Sequence, residues 1–258
     1  MRLNLKRALI TALIMLIGGC SAVWYLASDR LPEADKQVAP DEVERRVDEM
    51  WAALNAPAWF SAEGASWTFV GKYHYVWHKR LGRVRVTLSD EVAVYLEPHT
   101  GRGFALERGA RVTEDDRHAE LIAEATSRFN NDSFWLAAPY KIRDPGTQRS
   151  LTRDEDGEGL LVYYESGGTT PGDRYLWRLD AQGRPRLWQL WVKIIPVKGV
   201  SLTWEDWRQS ESGAWISHLH RSPLLDVKLQ DVKVTQTFKA LGVNDPLLTS
   251  SQWDERLR

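Results

Sequence analysis

Residues 66–78 read SWTFVGKYHYVWH. Trp67, Phe69, Tyr73, Tyr75 and Trp77 fall at alternate positions, with Ser66, Thr68, Lys72, His74 and His78 between them. Period 2 is the signature of a strand with one apolar face, and Gly71 marks a place where a long strand tolerates a bend. The alternation resumes as Val84, Val86 and Leu88 beyond the Leu81-Gly82 turn, then as Val92, Val94 and Leu96, then as Phe104 and Leu106 beyond the Pro98–Gly101 turn. Connections this short join antiparallel neighbours, so the stretch opens a meander.

Upstream, the period changes. Val43, Val47, Met50, Trp51 and Leu54 fall at i, i+4, i+7, i+8 and i+11, which is one stripe of a helix that begins at Pro40-Asp41 and ends at Asn55 before Pro57. Downstream, Thr113 with Asp116 starts a second helix whose stripe is Leu121, Ile122, Ala125 and Phe129. Residues 130–147 (NNDSFWLAAPYKIRDPGT) are rich in turn formers and predict an apolar loop tucked against the sheet. Strand character then returns over 160–165, 174–180, 186–195, 200–208, 214–220 and 224–234, separated by Gly- and Pro-bearing turns. The expected fold is therefore α+β: a single curved antiparallel β-sheet, an unclosed barrel of about ten strands, with two covering helices.

Residues 8–27 (ALITALIMLIGGCSAVWYLA) carry no charge, and as a helix this run matches a bilayer core. Arg2, Lys6 and Arg7 precede it, so the positive-inside rule places the downstream chain across the membrane. Ile17-Gly18-Gly19-Cys20 also has the look of a lipobox, with Cys20 as the lipidation site. Anchor helix and lipidated cysteine both stay open, and both lead to a periplasm-facing domain in the cell envelope. The expected organisation is a signal or anchor over 1–28, a polar tether over 29–39 and a half-barrel domain over 40–258.

Thirty-four Lys plus Arg stand against 35 Asp plus Glu, a balance that argues against a nucleic-acid binder relying on a basic surface. A single cysteine excludes an internal disulfide framework, a CxxC pair and a cysteine-rich zinc site. GGTTPGD at 167–173 has phosphate-loop spacing, but Asp173 stands where such a loop needs Lys. His74 with His78, and His218 with His220, alternate on strands and are read as structural or outward-facing residues, without the acidic or cysteine partners of a metal centre. Asp115-Asp116 caps a helix, Glu205-Asp206 points to opposite faces of a strand, and Asn131-Asp132-Ser133 is read as a turn. No GxSxG elbow is present. No cofactor and no enzymatic activity are expected.

The stretch Asn131-Asp132-Ser133-Phe134-Trp135-Leu136, then Pro139, Asp144-Pro145-Gly146-Thr147, Gly159-Leu160-Leu161-Val162 and Gly172-Asp173-Arg174-Tyr175-Leu176-Trp177 resembles an uncharacterised family of bacterial membrane-anchored proteins. That family is similar to the LolA/LolB-like lipoprotein carriers. The resemblance spans roughly residues 40–235 and implies an unclosed antiparallel barrel whose helices cover an apolar cavity.

Thirteen tryptophans, several at alternate strand positions, fit that implication. The expected function is binding of a lipid, or of a lipoprotein's acyl chains, in the concavity of the half-barrel. The expected ligand-binding residues are Val47, Trp51, Leu54, Trp67, Phe69, Tyr73, Tyr75, Trp77, Trp177 and Trp191, with the first helix as a lid. The partners are acyl chains and, through the N-terminal segment, the membrane. Two other classes remain open: an envelope carbohydrate-binding or scaffolding module, and an enzyme with a site near residues 130–147.

Overall fold

The computed structural model describes residues 29–166, 171–194, 197–223, 225–249 and 253. The expected anchor, Cys20 and part of the 167–173 loop lie outside them. Among the described residues no helix is long and apolar enough to cross a membrane.

In chain order the elements are α1 (Pro40–Leu54), α2 (Ala56–Ser61), β1 (Gly64–Phe69), β2 (Tyr73–His78), β3 (Arg83–Ser89), β4 (Val92–Glu97), β5 (Arg102–Glu107), β6 (Ala110–Arg111) and α3 (Asp115–Ala137). There follow β7 (Thr147–Asp154), β8 (Gly157–Tyr164), β9 (Asp173–Leu179), β10 (Pro185–Trp191), β11 (Val200–Thr203), β12 (Glu205–Gln209), β13 (Trp215–Arg221), β14 (Asp226–Thr235) and α4 (Pro246–Thr249). The strands form two antiparallel sheets, β12-β13-β14-β1-β2-β3-β4-β5-β6 and β11-β10-β9-β8-β7, and neither closes on itself among the described residues.

The fold is thus α+β, with curved antiparallel sheets and few helices, and four details raise the strand number to fourteen. The long strand over 66–78 is a hairpin: Val70 and Gly71 have φ of 45° and 69°, and the Lys72 amide donates to Phe69 O at 3.0 Å. Two successive left-handed residues make the tight turn that suits the twist of a hairpin. Phe69 then stands opposite Tyr73, Trp67 opposite Tyr75 and Ala65 opposite Trp77, so the aromatic alternation passes through the turn on one face. The run 200–208 breaks at Trp204, a single residue at which the chain leaves one sheet and enters the other. Short β6 and charged β7 add an edge to each sheet.

One face of the nine-stranded sheet carries rows such as Ala65, Trp77, Val84 and Leu96. Onto it packs α3, opened by the Glu114 carboxylate, which accepts from the amides of Asp116 and Arg117. Its stripe is Leu121, Ala125, Phe129 and Leu136, all buried. The helix does not end near Asn130 as the turn formers suggest. Asp132 lies inside it and its carboxylate accepts from the Tyr75 hydroxyl, a tertiary bond that outweighs the local preference of Asn and Asp for turns.

The first helix corrects the expectation of a lid. Val47, Met50 and Leu54 are fully buried, and α1 packs against β7, where Glu44 pairs with Arg143 and Arg149 at 2.8 Å each. Left-handed Asn55 (φ 52°) ends it. The expected tether is also docked: Asp35 N donates to Leu151 O, and Asp29 N to Lys198 O. The opposite face of the large sheet holds a second core in which Phe238, Leu241, Leu248 and Trp253 cover Val76, Tyr95 and Phe104. Asp245 ties this cover down by pairing with Arg85 at 2.6 Å and accepting from the Tyr95 hydroxyl at 3.1 Å.

Candidate functional site

A cleft of about 950 Å³ opens around the C-terminal half of α3, between the turn ends of the nine-stranded sheet and the inner face of the five-stranded one. This is at the upper end of the size range of ligand sites. Its lining includes every position from Ser127 to Trp135, and since consecutive helical residues point in all directions, the space reaches around the helix. Strand pairing explains the wall from the smaller sheet. Tyr175 stands opposite Leu190 and Val162, and Trp177 opposite Trp188 and Leu160, so one face of β8, β9 and β10 is a sheet of rings and branched chains. Tyr164, Tyr175, Trp188, Leu190 and Val192 from this side border the cleft, and Ile194 stands at its mouth, 66% exposed.

α3 bridges the two walls. Phe129 reaches the large sheet, with its centroid 5.2 Å from Trp77 and 6.2 Å from Trp67. Phe134 and Trp135 reach the small one: Phe134 lies 5.2 Å from Tyr175 and 5.9 Å from Trp188, and Trp135 lies 5.1 Å from Trp188. Behind that wall, Trp188, Trp204 and His220 pack together, with the His220 ring 4.3 Å from Trp204. His220 is fully buried, and burial pushes its imidazole down to about 3, while its Nδ1 sits 3.2 Å from Thr203 O.

The polar groups fall into two sets. Tyr75 and Asp132 satisfy each other under the helix, and burial raises both above their ordinary ranges. The Tyr164 hydroxyl and the Trp188 indole N–H are buried with no hydrogen-bond partner among the described residues, although both rings line the cleft. Burial also pushes the Tyr164 phenol well above its usual range. At the rim, Arg128 pairs with Glu124 at 2.8 Å and Lys141 with Asp144 at 2.7 Å. Lys79 donates to the Trp59 carbonyl and lies over the Trp59 ring.

Among the described residues no hydrogen bond joins a cleft serine to a histidine or carboxylate, and no group of three His, Cys, Asp or Glu is placed to hold a metal. Of the four histidines expected to be structural or outward-facing, two are interior. His78 is buried with its ring stacked 4.4 Å from Phe238, and His220 is in the small-sheet core.

Of the ten expected ligand-binding residues, the cleft is lined by Trp77. Trp67 and Tyr75 stack at 4.6 Å beneath Phe129, and Phe69 and Tyr73 continue that face, with the Arg128 guanidinium 3.9 Å from the Tyr73 ring. Val47 and Leu54 are core under α1, and Trp51 is half-buried against Phe60 with its N–H bonded to Pro139 O at 3.0 Å. Trp177 is wholly buried beside Trp188 and Trp204. Trp191 is the last residue of β10, with its indole donating to Asp29 O at 3.0 Å. The residues that sequence reasoning missed are Phe134 and Trp135, hidden in the expected loop, and the alternating Trp188, Leu190, Val192 and Ile194, whose period marks a strand but not which face stays open.

No family model matches the chain, and no curated protein matches it. Among solved structures the chain is similar to a DUF1329 family protein from Desulfovibrio piger, at 9% identity and a TM-score of 0.37, over 81% of this chain and 98% of that one.

Proposed function

We propose that the cleft around α3 binds an apolar chain, a lipid or the acyl portion of a lipoprotein, and that the protein does so without catalysis, as a periplasm-facing module held at a membrane by its N-terminal segment. The observation that carries this reading is a space of about 950 Å³ walled by Phe129, Phe134, Trp135, Tyr175, Trp188 and Leu190 that the chain's own side chains leave unfilled. Each buried methylene contributes about 0.8 kcal/mol, so a chain of roughly sixteen carbons supplies about 13 kcal/mol, enough for micromolar affinity after about 4–5 kcal/mol is lost to association.

The test is uptake of a dansylated fatty acid by the full chain, read as tryptophan-sensitised emission. Saturable binding near one probe per chain is expected, weakened about tenfold when Ser127→Trp and Ile194→Glu are combined, since both positions are exposed at the cleft and tolerate change without unfolding. Emission that rises linearly with probe and ignores both substitutions refutes the reading.

A further inference from the structure

Three basic side chains with long stems border the cleft, and they are not equivalent. Arg128 has Glu124 at 2.8 Å and Lys141 has Asp144 at 2.7 Å. Lys79 forms no ion pair among the described residues. Its ammonium donates to the Trp59 carbonyl and lies 3.9 Å from the Trp59 ring centroid and 5.9 Å from that of Trp77. A carbonyl and two ring faces solvate a cation without neutralising it. Burial lowers this ammonium to about 8, so it is still mostly charged at neutral pH. A part-buried charge with no counter-charge is expensive to keep, which points to a counter-charge supplied from outside.

The surroundings say what carries that counter-charge. Trp77 takes part in the cation's bed and also lines the cleft, and its ring meets Phe129 at 5.2 Å. The apolar wall therefore begins at the cation. A small inorganic anion would use the charge and leave the wall bare; a neutral lipid would use the wall and leave the charge bare.

We propose that Lys79 receives the anionic head group, carboxylate or phosphate, of a single-chain amphiphile whose tail runs from Trp77 along Phe129. This rests on the reading of the cleft as an apolar-chain site and names its ligand class. A charge-assisted hydrogen bond in such a setting is worth tenfold or more in affinity.

The probes are 11-(dansylamino)undecanoate and its methyl ester, added to the full chain at neutral pH. The wild-type chain should prefer the acid by at least about tenfold, a ratio that needs no variant. Lys79→Met, which keeps the apolar stem, should weaken the acid by at least about tenfold and leave the ester within about twofold; Lys79→Arg should restore most of the preference. Dodecyl phosphate should displace the probe, and inorganic phosphate at the same concentration should not. Equal binding of acid and ester by the wild-type chain, or equal losses for both in Lys79→Met, overturns the role of Lys79 while the apolar cleft stands. Displacement by inorganic phosphate alone overturns the amphiphile. Failure of both probes to bind removes this proposal and the cleft reading together.

Discussion

Acidification from pH 7 to pH 4 should destabilise this protein by about 3 kcal/mol through one imidazole, that of His220. The ring is fully buried among Trp135, Trp188 and Trp204, and burial holds it at about 3, against 6.5 for an ordinary histidine. Between those two values the unfolded chain binds the proton and the folded chain does not, so stability rises with pH across the window and is lost as pH falls. At pH 7 about a quarter of the unfolded imidazoles and almost none of the folded ones carry a proton, a difference worth only about 0.2 kcal/mol. At pH 4 the unfolded imidazole is almost fully protonated and the folded one hardly at all, which leaves about 2.5 of the roughly 3.5 units between them, at 1.36 kcal/mol each. His74, His78 and His218 are also lowered, mainly by burial, and act in the same direction, whereas Asp132, raised by burial, acts in the opposite one. The informative quantity is therefore a difference. Urea unfolding followed by tryptophan fluorescence at pH 7, 5.5 and 4 should show the wild-type chain losing about 3 kcal/mol more than His220→Leu. His220→Gln, which keeps a donor for Thr203 O, provides the same comparison with less disturbance of the hydrogen bond. Parallel pH dependence in the wild-type chain and both variants refutes the argument that this ring is held neutral by its surroundings.

Tyr164→Phe removes a buried hydroxyl that has no partner among the described residues and should raise the unliganded protein's stability by about 1 kcal/mol, some 2–4 °C in Tm; a fall in Tm would show that the hydroxyl is satisfied. Leu54→Ala should cost about 2–5 kcal/mol while leaving fatty-acid uptake per folded molecule unchanged, because Leu54 is fully buried under a helix that does not border the cleft. Reduced uptake by that variant at full folding would return α1 to the role of a lid.

The sequence displays the antiparallel, α+β character because alternation survives wherever one face of a strand is buried, even through the Val70-Gly71 hairpin, where it runs on as though no turn were present. What alternation does not encode is the surface that covers each face. Trp177 and Trp188 stand opposite each other on neighbouring strands and both are buried, yet Trp188 meets Phe134 and Trp135 of α3 beside the cleft while Trp177 packs against Trp204. Those contacts come from register and from the path of α3, neither of which is local. Asn131-Asp132-Ser133 reads as a turn because its partner, Tyr75, lies 57 residues away. The C-terminal cover is invisible for a different reason: its pieces are a 3₁₀ turn and a four-residue helix, too short to show any period.

The docking of Asp29 has a consequence for where a ligand would come from. Its amide and carbonyl are held by Lys198 O and the Trp191 indole, on the two sides of the β10–β11 connection, and that same connection carries Ile194 at the cleft mouth. Asp29, the first described residue, thus lies beside the connection that borders the opening. If the preceding segment is held in a bilayer, as proposed, the opening would sit close to the lipid surface, and a chain-length molecule would pass between bilayer and cleft without crossing bulk water. Lengthening the link before Asp29 with a flexible insert would loosen that coupling and slow transfer from vesicles while leaving affinity in detergent unchanged, which separates a doorway from a container.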